Sequence, residues 1–231
     1  MNVLNTDQCA ESLISRANKV LPAGSFGNMP GDIVLERGKA GRVWDINGTE
    51  YVDFLLGSGP MFVGHAHPDV TKAITEQAPQ GTTFFANNQY GIKLAEEICE
   101  AMTCADQLRF VSSGSEATLY AMRLARAYRK RDKILKFEGG YHGMSDYSLM
   151  SLAPTRLANY PQALPDSAGI PQKVSNEVII APFNDIETVK SLINEYHDEL
   201  GGVIVEPFQR LIPPAPGFLE MLREITLQYK I

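Results

Sequence analysis

The sequence has few cysteines and no long apolar run, and both absences narrow the classes of protein it can belong to. Its 231 residues include 3 cysteines, an odd number without the spacing of a metal site or a disulfide framework. No run reaches the ~18 apolar residues of a membrane-spanning helix, so we predict no membrane association. The first twenty residues contain no secretory-type apolar segment. These absences favour a reduced, cytoplasmic protein.

Positive charge is also scarce. The 21 lysines and arginines are outnumbered by 27 acidic residues, which gives a net charge of −6. Such a surface is poorly suited to neutralising many phosphates, so we do not expect a nucleic-acid partner. His65 and His67 are close in sequence, but no third metal ligand lies near them, and we predict no metal site. With 44% hydrophobic residues, the chain can form an ordinary core.

The first part of the chain has the pattern of a helix followed by a β-hairpin. Helical spacing covers residues 6–20, and two short runs of alternating apolar residues flank Asn47-Gly48. Because Asn-Gly readily adopts the positive φ angles of a tight turn, we predict a two-stranded antiparallel hairpin. Asp45 and Asp53 belong to this hairpin, and we expect both to face solvent.

From Pro68 onward, helical patterns alternate with short β-type runs. The predicted helices cover 68–77, 89–102, 116–128, 185–196 and 217–229, and the predicted strands cover 108–111, 133–137, 178–181 and 203–205. Strands that alternate with helices of this length are typical of βαβ units. We therefore predict the α/β class, with a mostly parallel sheet covered by helices.

The segment from Arg109 to Ala117 is the strongest local signal. A predicted strand leads into Ser112-Ser113-Gly114-Ser115, and a helix opens with Glu116 in its first turn. The unpaired amides at a helix N-terminus attract anions, and the hydroxyls of Ser113 and Ser115 add donors for phosphate oxygens. The alternative is that one of these serines only caps the helix.

A second glycine-rich segment, Phe137 to Gly143, follows the next predicted strand. Its glycines let a ligand approach the backbone closely, and we expect Tyr141 and His142 to be exposed at the carboxyl edge of the sheet. The alternative is an ordinary turn with a surface histidine. Glu206 follows another apolar run and would reach the same edge.

The sequence also lacks the motifs of serine hydrolases, zinc proteases, P-loop ATPases and nicotinamide enzymes. The pattern therefore predicts a site for a planar, phosphorylated ring.

Several motifs in order resemble those of class III aminotransferases that use pyridoxal 5'-phosphate (PLP), and the chain is most similar to their glutamate-1-semialdehyde aminomutase branch. These motifs are Gly64-His65-Ala66-His67-Pro68, the run from Arg109 to Ala117, the run from Lys133 to Gly143, and Val205-Glu206-Pro207. The resemblance implies fold type I and a homodimer. It also implies that residues 1–60 belong to a small domain and residues 61–231 to part of a large PLP-binding domain.

The resemblance assigns roles to individual residues. Ser113, Gly114 and Ser115 would hold the cofactor phosphate. Tyr141 would stack on the pyridine ring, with His142 beside it, and Glu206 would line the pocket. Ser25 and Ser58 would lie in substrate-facing segments.

Two departures from the family pattern are informative. The segment after Ser25 lacks the substrate-binding arginine of the aminomutase, which favours a transaminase acting on an amino acid or amine and an oxo-acid. The chain also ends before the family's aspartate for the pyridine nitrogen and its Schiff-base lysine, so we expect an N-terminal half that is inactive alone. The alternatives are an aminomutase, and a non-catalytic module that binds a phosphorylated ligand or a partner.

Overall fold

A computed structural model describes residues 9–27, 29, 31–156 and 159–231. They form two compact units, one ending at Glu97 and one running from Ile98 to Ile231. In chain order the elements are α1 (Ala10–Val20), β1 (Leu35–Lys39), β2 (Arg42–Asp45), β3 (Glu50–Val52), α2 (Pro68–Gln77), α3 (Gln89–Ala101), α4 (Gly114–Arg129), β4 (Lys133–Phe137), β5 (Val178–Ala181), α5 (Ile186–Tyr196), β6 (Leu200–Ile204) and α6 (Phe218–Tyr229). The domain division near residue 60 stays a prediction, and the predicted start of α1 lies outside the described residues.

The first unit contains an antiparallel sheet of order β1-β2-β3. The predicted hairpin is present as β2 and β3, and Gly48 turns between them with φ +84°. Strand β1 was not predicted, because its sequence, LERGK, has only one apolar residue and no alternation.

The expectation that Asp45 faces solvent is wrong. The residue is only 8% exposed, and its carboxylate accepts hydrogen bonds from the Thr49 amide at 2.8 Å and the Tyr51 hydroxyl at 3.0 Å. Asp53 is not a free surface carboxylate either, because its Oδ2 lies 2.7 Å from Nε2 of His65. Both carboxylates stabilise local turns.

The second unit is built on a parallel sheet of order β5-β4-β6, which confirms the α/β class. Strand β4 is central and hydrogen-bonded on both sides, in register with Val178–Ala181 on one flank. The sheet packs against α5 and α6 to form the main core. Three rings, those of Phe137, Phe183 and Phe218, pack edge to face there with centroids 5.1–5.9 Å apart.

Two strand predictions need correction. Residues 108–111 form no strand, because they have no ladder with another strand within the described residues, and Phe110 is 52% exposed. Strand β6 begins at Leu200 and ends at Ile204, not over 203–205, because pairing with β4 recruits Gly201 and Gly202. None of the helices described here is long and apolar enough to cross a membrane.

Candidate active site

The N-terminus of α4 combines a helix cap with anion-binding groups. Ser113 is extended, with φ −152° and ψ 159°, and its Oγ accepts a hydrogen bond from the Glu116 amide at 3.2 Å. The Glu116 carboxylate accepts from the Ser112 amide at 2.7 Å. Gly114 and Ser115 are the first two helical residues, so their amides have no acceptor within the helix. Ser113 therefore does cap the helix. The amides of Gly114 and Ser115 and the hydroxyl hydrogen of Ser113 are still able to donate hydrogen bonds to an anion.

The loop after β4 packs directly on this helix end. Oγ of Ser115 accepts a hydrogen bond from the Met144 amide at 3.0 Å, and the Thr118 hydroxyl donates to the His142 carbonyl at 2.6 Å. Gly143 has φ +86°, and a Cβ there would lie 2.6 Å from both Cα and Oγ of Ser115. Only glycine fits this approach. The structure thus brings the serine motif and the Tyr141-His142 motif into contact.

Tyr141 and His142 differ in exposure. Tyr141 is 46% exposed, as expected, whereas His142 is only 5% exposed, so the expectation that both are exposed is wrong for His142. Burial, with a smaller contribution from the charge of Lys136, lowers the pKa of His142 to about 4. The imidazole is therefore neutral near pH 7. Its Nε2 is buried and has no hydrogen-bond partner among the described residues.

Residues 206–210, which follow β6, form hydrogen bonds with the loop that contains Tyr141. Glu206 accepts a hydrogen bond from the Tyr141 amide at 3.0 Å. The side chains of Gln209 and Arg210 donate to the carbonyls of Glu138 and Gly139, at 2.7 and 3.1 Å. Glu206 reaches the predicted edge, two residues beyond the end of its strand. Sequence reasoning missed Gln209 and Arg210; the signal that could have found them is their position just after Glu206-Pro207.

Sequence reasoning also missed a buried lysine in the central strand. Lys136 is 1% exposed, and its ammonium group donates to the carbonyls of Ser148 and Met150 at 2.8 and 2.5 Å. Burial lowers its pKa to about 8. The lysine ties the segment after Gly143 to β4, and so supports the loop that touches Ser115.

Ser25 and Ser58 lie in the first unit. Oγ of Ser25 donates to the Met29 carbonyl at 2.5 Å and accepts from the Gly27 amide at 3.3 Å. Ser58 adopts a positive φ of 66°, in a turn where its amide donates to the Leu55 carbonyl. Their substrate-facing role stays a prediction.

Comparison with known proteins identifies the family. The sequence profile "Aminotransferase class-III" matches residues 25–231. The chain belongs to the class III aminotransferases. It is 42% identical to glutamate-1-semialdehyde 2,1-aminomutase 2 of an Exiguobacterium species, over 95% of this chain and 52% of that protein.

Solved transaminase structures share the fold. An omega-transaminase from Sphaerobacter thermophilus superposes with a TM-score of 0.90 at 36% identity, over 98% of this chain and 54% of that one. A transaminase solved with PLP bound gives a TM-score of 0.88 at 30% identity, over 96% and 53%. The fold is therefore that of the fold type I transferases. The chain spans about half the length of the relatives it matches.

Proposed function

We propose that the protein is a PLP-dependent aminotransferase that moves an amino group between an amino acid or amine and an oxo-acid, and that this chain supplies its phosphate and ring contacts. The observation that carries the proposal is the close approach of Gly143 to Ser115, where a Cβ on the glycine would lie 2.6 Å from Cα of the serine. This approach joins an anion-binding helix end to an aromatic platform. A phosphorylated planar ring needs both features side by side.

The residues present fit this cofactor. The amides of Gly114 and Ser115 and the hydroxyl of Ser113 would hold the phosphate. The half-exposed Tyr141 ring would cover one face of the pyridine. The neutral His142 adds no positive charge beside the ring, and Glu206 fixes the platform through the Tyr141 amide. When bound, the cofactor supplies an electron sink for the substrate's α-carbon.

We also propose a homodimer, in which Ser25 and Ser58 face substrate, and a cytoplasmic location. Supporting the dimer, Phe54, Phe62 and Phe85 in the first unit are each more than nine-tenths exposed. A contiguous exposed apolar patch marks an association surface, and we propose that these rings belong to one. Supporting the location, all the cysteines are free thiols.

The second candidate is a glutamate-1-semialdehyde aminomutase. The 42% identity to such a protein favours it. The lack of an arginine shortly after Ser25 favours the transaminase instead.

The test uses the full-length product of the gene, incubated with PLP. We expect a cofactor absorbance band that borohydride removes, and amino transfer to an oxo-acid. Activity on glutamate semialdehyde alone would select the aminomutase. For this chain by itself, titration with pyridoxamine phosphate measures cofactor binding that does not require a Schiff base. No band and no binding would reject both enzymes and favour an interaction module.

A further inference from the structure

Arg210 lies in an unusually strained turn. Gln209 and Ile212 form an antiparallel bridge, with the Ile212 amide donating to the Gln209 carbonyl at 2.7 Å. The two residues between them, Arg210 and Leu211, have φ angles of 49° and 69°. Two successive non-glycine residues in the left-handed region cost free energy that glycine or asparagine would avoid. Residues in such conformations cluster at active sites and ligand-binding segments, where the surrounding contacts hold them in place.

The turn directs the Arg210 side chain to the platform. Its Nε donates to the Gly139 carbonyl at 3.1 Å, and the centre of its guanidinium lies 5.5 Å from the centroid of the Tyr141 ring. Within the described parts of the chain, these are its polar and ring contacts. Glu138 and Glu206 take part in the hydrogen bonds between these two segments. Among the described residues, neither of their carboxylates forms an ion pair with Arg210. The N–H groups on the two terminal nitrogens of the guanidinium are therefore available to donate to a ligand.

We propose that Arg210 binds the carboxylate of the amino-acid or oxo-acid substrate; this rests on the proposed function, because Tyr141 must be the ring platform for its neighbour to meet substrate. A guanidinium presents paired N–H groups that match the two oxygens of a carboxylate. The bond from Nε to Gly139 and the Gln209–Ile212 bridge orient this fork before a ligand arrives, which reduces the ordering cost of binding.

The inference is tested in the full-length protein with Arg210→Gln and Arg210→Gly. Loss of a charge-assisted contact should raise KM for carboxylate-bearing substrates by about 10- to 100-fold more than the KM for a plain amine, because only the carboxylate meets the guanidinium. Binding of glutarate, a dicarboxylate with no amino or oxo group, provides a readout that does not depend on turnover. Its dissociation constant should rise by a similar factor.

Arg210→Gly separates recognition from a structural role. Glycine tolerates φ 49°, so this variant should unfold at the same or a higher urea concentration while its glutarate binding weakens. Arg131→Gln is the matched control, since Nε of Arg131 also donates to a backbone carbonyl, that of Asp198, beside the start of β4. It should change neither binding nor KM.

Three outcomes would overturn the inference. They are unchanged glutarate binding in both Arg210 variants, an equal loss with amine and carboxylate substrates, and an equal effect of Arg131→Gln. Absence of the borohydride-sensitive band in the parent protein would instead reject the proposed function, and glutarate binding would still show whether Arg210 holds a carboxylate.

Discussion

Gly143 joins the two parts of the candidate site, and its replacement is the most direct test of that contact. In Gly143→Ala the new Cβ would meet Ser115 Cα at 2.6 Å in a residue with φ +86°. We expect a loss of about 3 kcal/mol or more in the free energy of unfolding, from strain plus overlap, measured by urea denaturation. Pyridoxamine phosphate binding should weaken in parallel, because the loop must leave the helix end.

Gly169→Ala is the matched control. Gly169 has nearly the same φ, +88°, but a Cβ there would meet nothing within 4 Å. It should cost only about 1–2 kcal/mol, the backbone strain alone, and leave ligand binding intact. Equal losses for the two variants would show that the contact with Ser115 does not matter.

His142 predicts a specific pH dependence. Its pKa falls from 6.5 to about 4 on folding, because of burial and then the charge of Lys136. The unfolded chain therefore binds more protons between these values. The stabilisation is complete above pH 6.5 and is lost as the pH falls through 4, by about 3 kcal/mol in total.

The measurement for His142 is urea unfolding at several pH values, compared with His142→Gln. The variant should lack this part of the acid slope, while other groups such as Asp53 contribute equally to both proteins. If the unfolding free energies of the parent chain and of His142→Gln changed in parallel with pH, the low pKa of His142 would be contradicted. So would a histidine NMR titration in the folded chain with a midpoint near 6.5 for His142.

The exposure of single residues was only partly predictable from sequence. Tyr141 was expected at the surface and is half exposed, but its neighbour His142 is buried. The pattern Gly-Tyr-His-Gly has no periodicity, so it cannot show which side chain points inward. Lys136 is similar, because a lysine in an otherwise apolar strand is usually exposed, whereas here the carbonyls of Ser148 and Met150 accept hydrogen bonds from its ammonium group.

At the scale of elements, substitutions of Ser113 at the start of α4 can separate its role as a helix cap from its proposed role in phosphate binding. Ser113→Asp should keep the cap, since aspartate caps as well as serine, so stability should change by less than about 0.5 kcal/mol. Its negative charge should weaken pyridoxamine phosphate binding by about 100-fold or more. Ser113→Ala should do the reverse, with a loss of about 1 kcal/mol and a smaller change in binding.

The control for α4 is a cap exchange on another helix. Asp185 caps α5 by accepting from the Thr188 amide at 3.0 Å, and Asp185→Ser should affect neither stability nor binding strongly. If Ser113→Asp bound the ligand as well as the parent chain, the serine would be a cap and nothing more.

Elements with strong periodicity were predictable, whereas those that depend on a partner strand were not. Helix α2 has the predicted bounds, because Pro68 starts it and its apolar spacing continues to Gln77. Strand β1 and the true start of β6 depend on pairing with β2 and β4, which no local pattern reveals. The run 108–111 was apolar enough for a strand, but strand structure requires hydrogen-bonded neighbours.

At the scale of the whole chain, the core is unevenly distributed. Among the described residues, every buried hydrophobic side chain except Val43 lies in the second unit. Helices α2 and α3 bury none of their residues, although each has an apolar stripe. Since local stability follows buried apolar contact, the second unit should be far more resistant to opening than the first.

Hydrogen–deuterium exchange of this chain measures that difference directly. We expect slow exchange in β4, β5, α5 and α6, and fast exchange in α2 and in the part of α3 within the first unit. The proposed homodimer adds a second expectation: at about tenfold higher protein concentration, protection should appear in the first unit, because binding to a second copy stabilises what it covers. Protection equal in both units at every concentration would contradict the uneven core. Protection independent of concentration in the first unit would argue against the dimer surface proposed there.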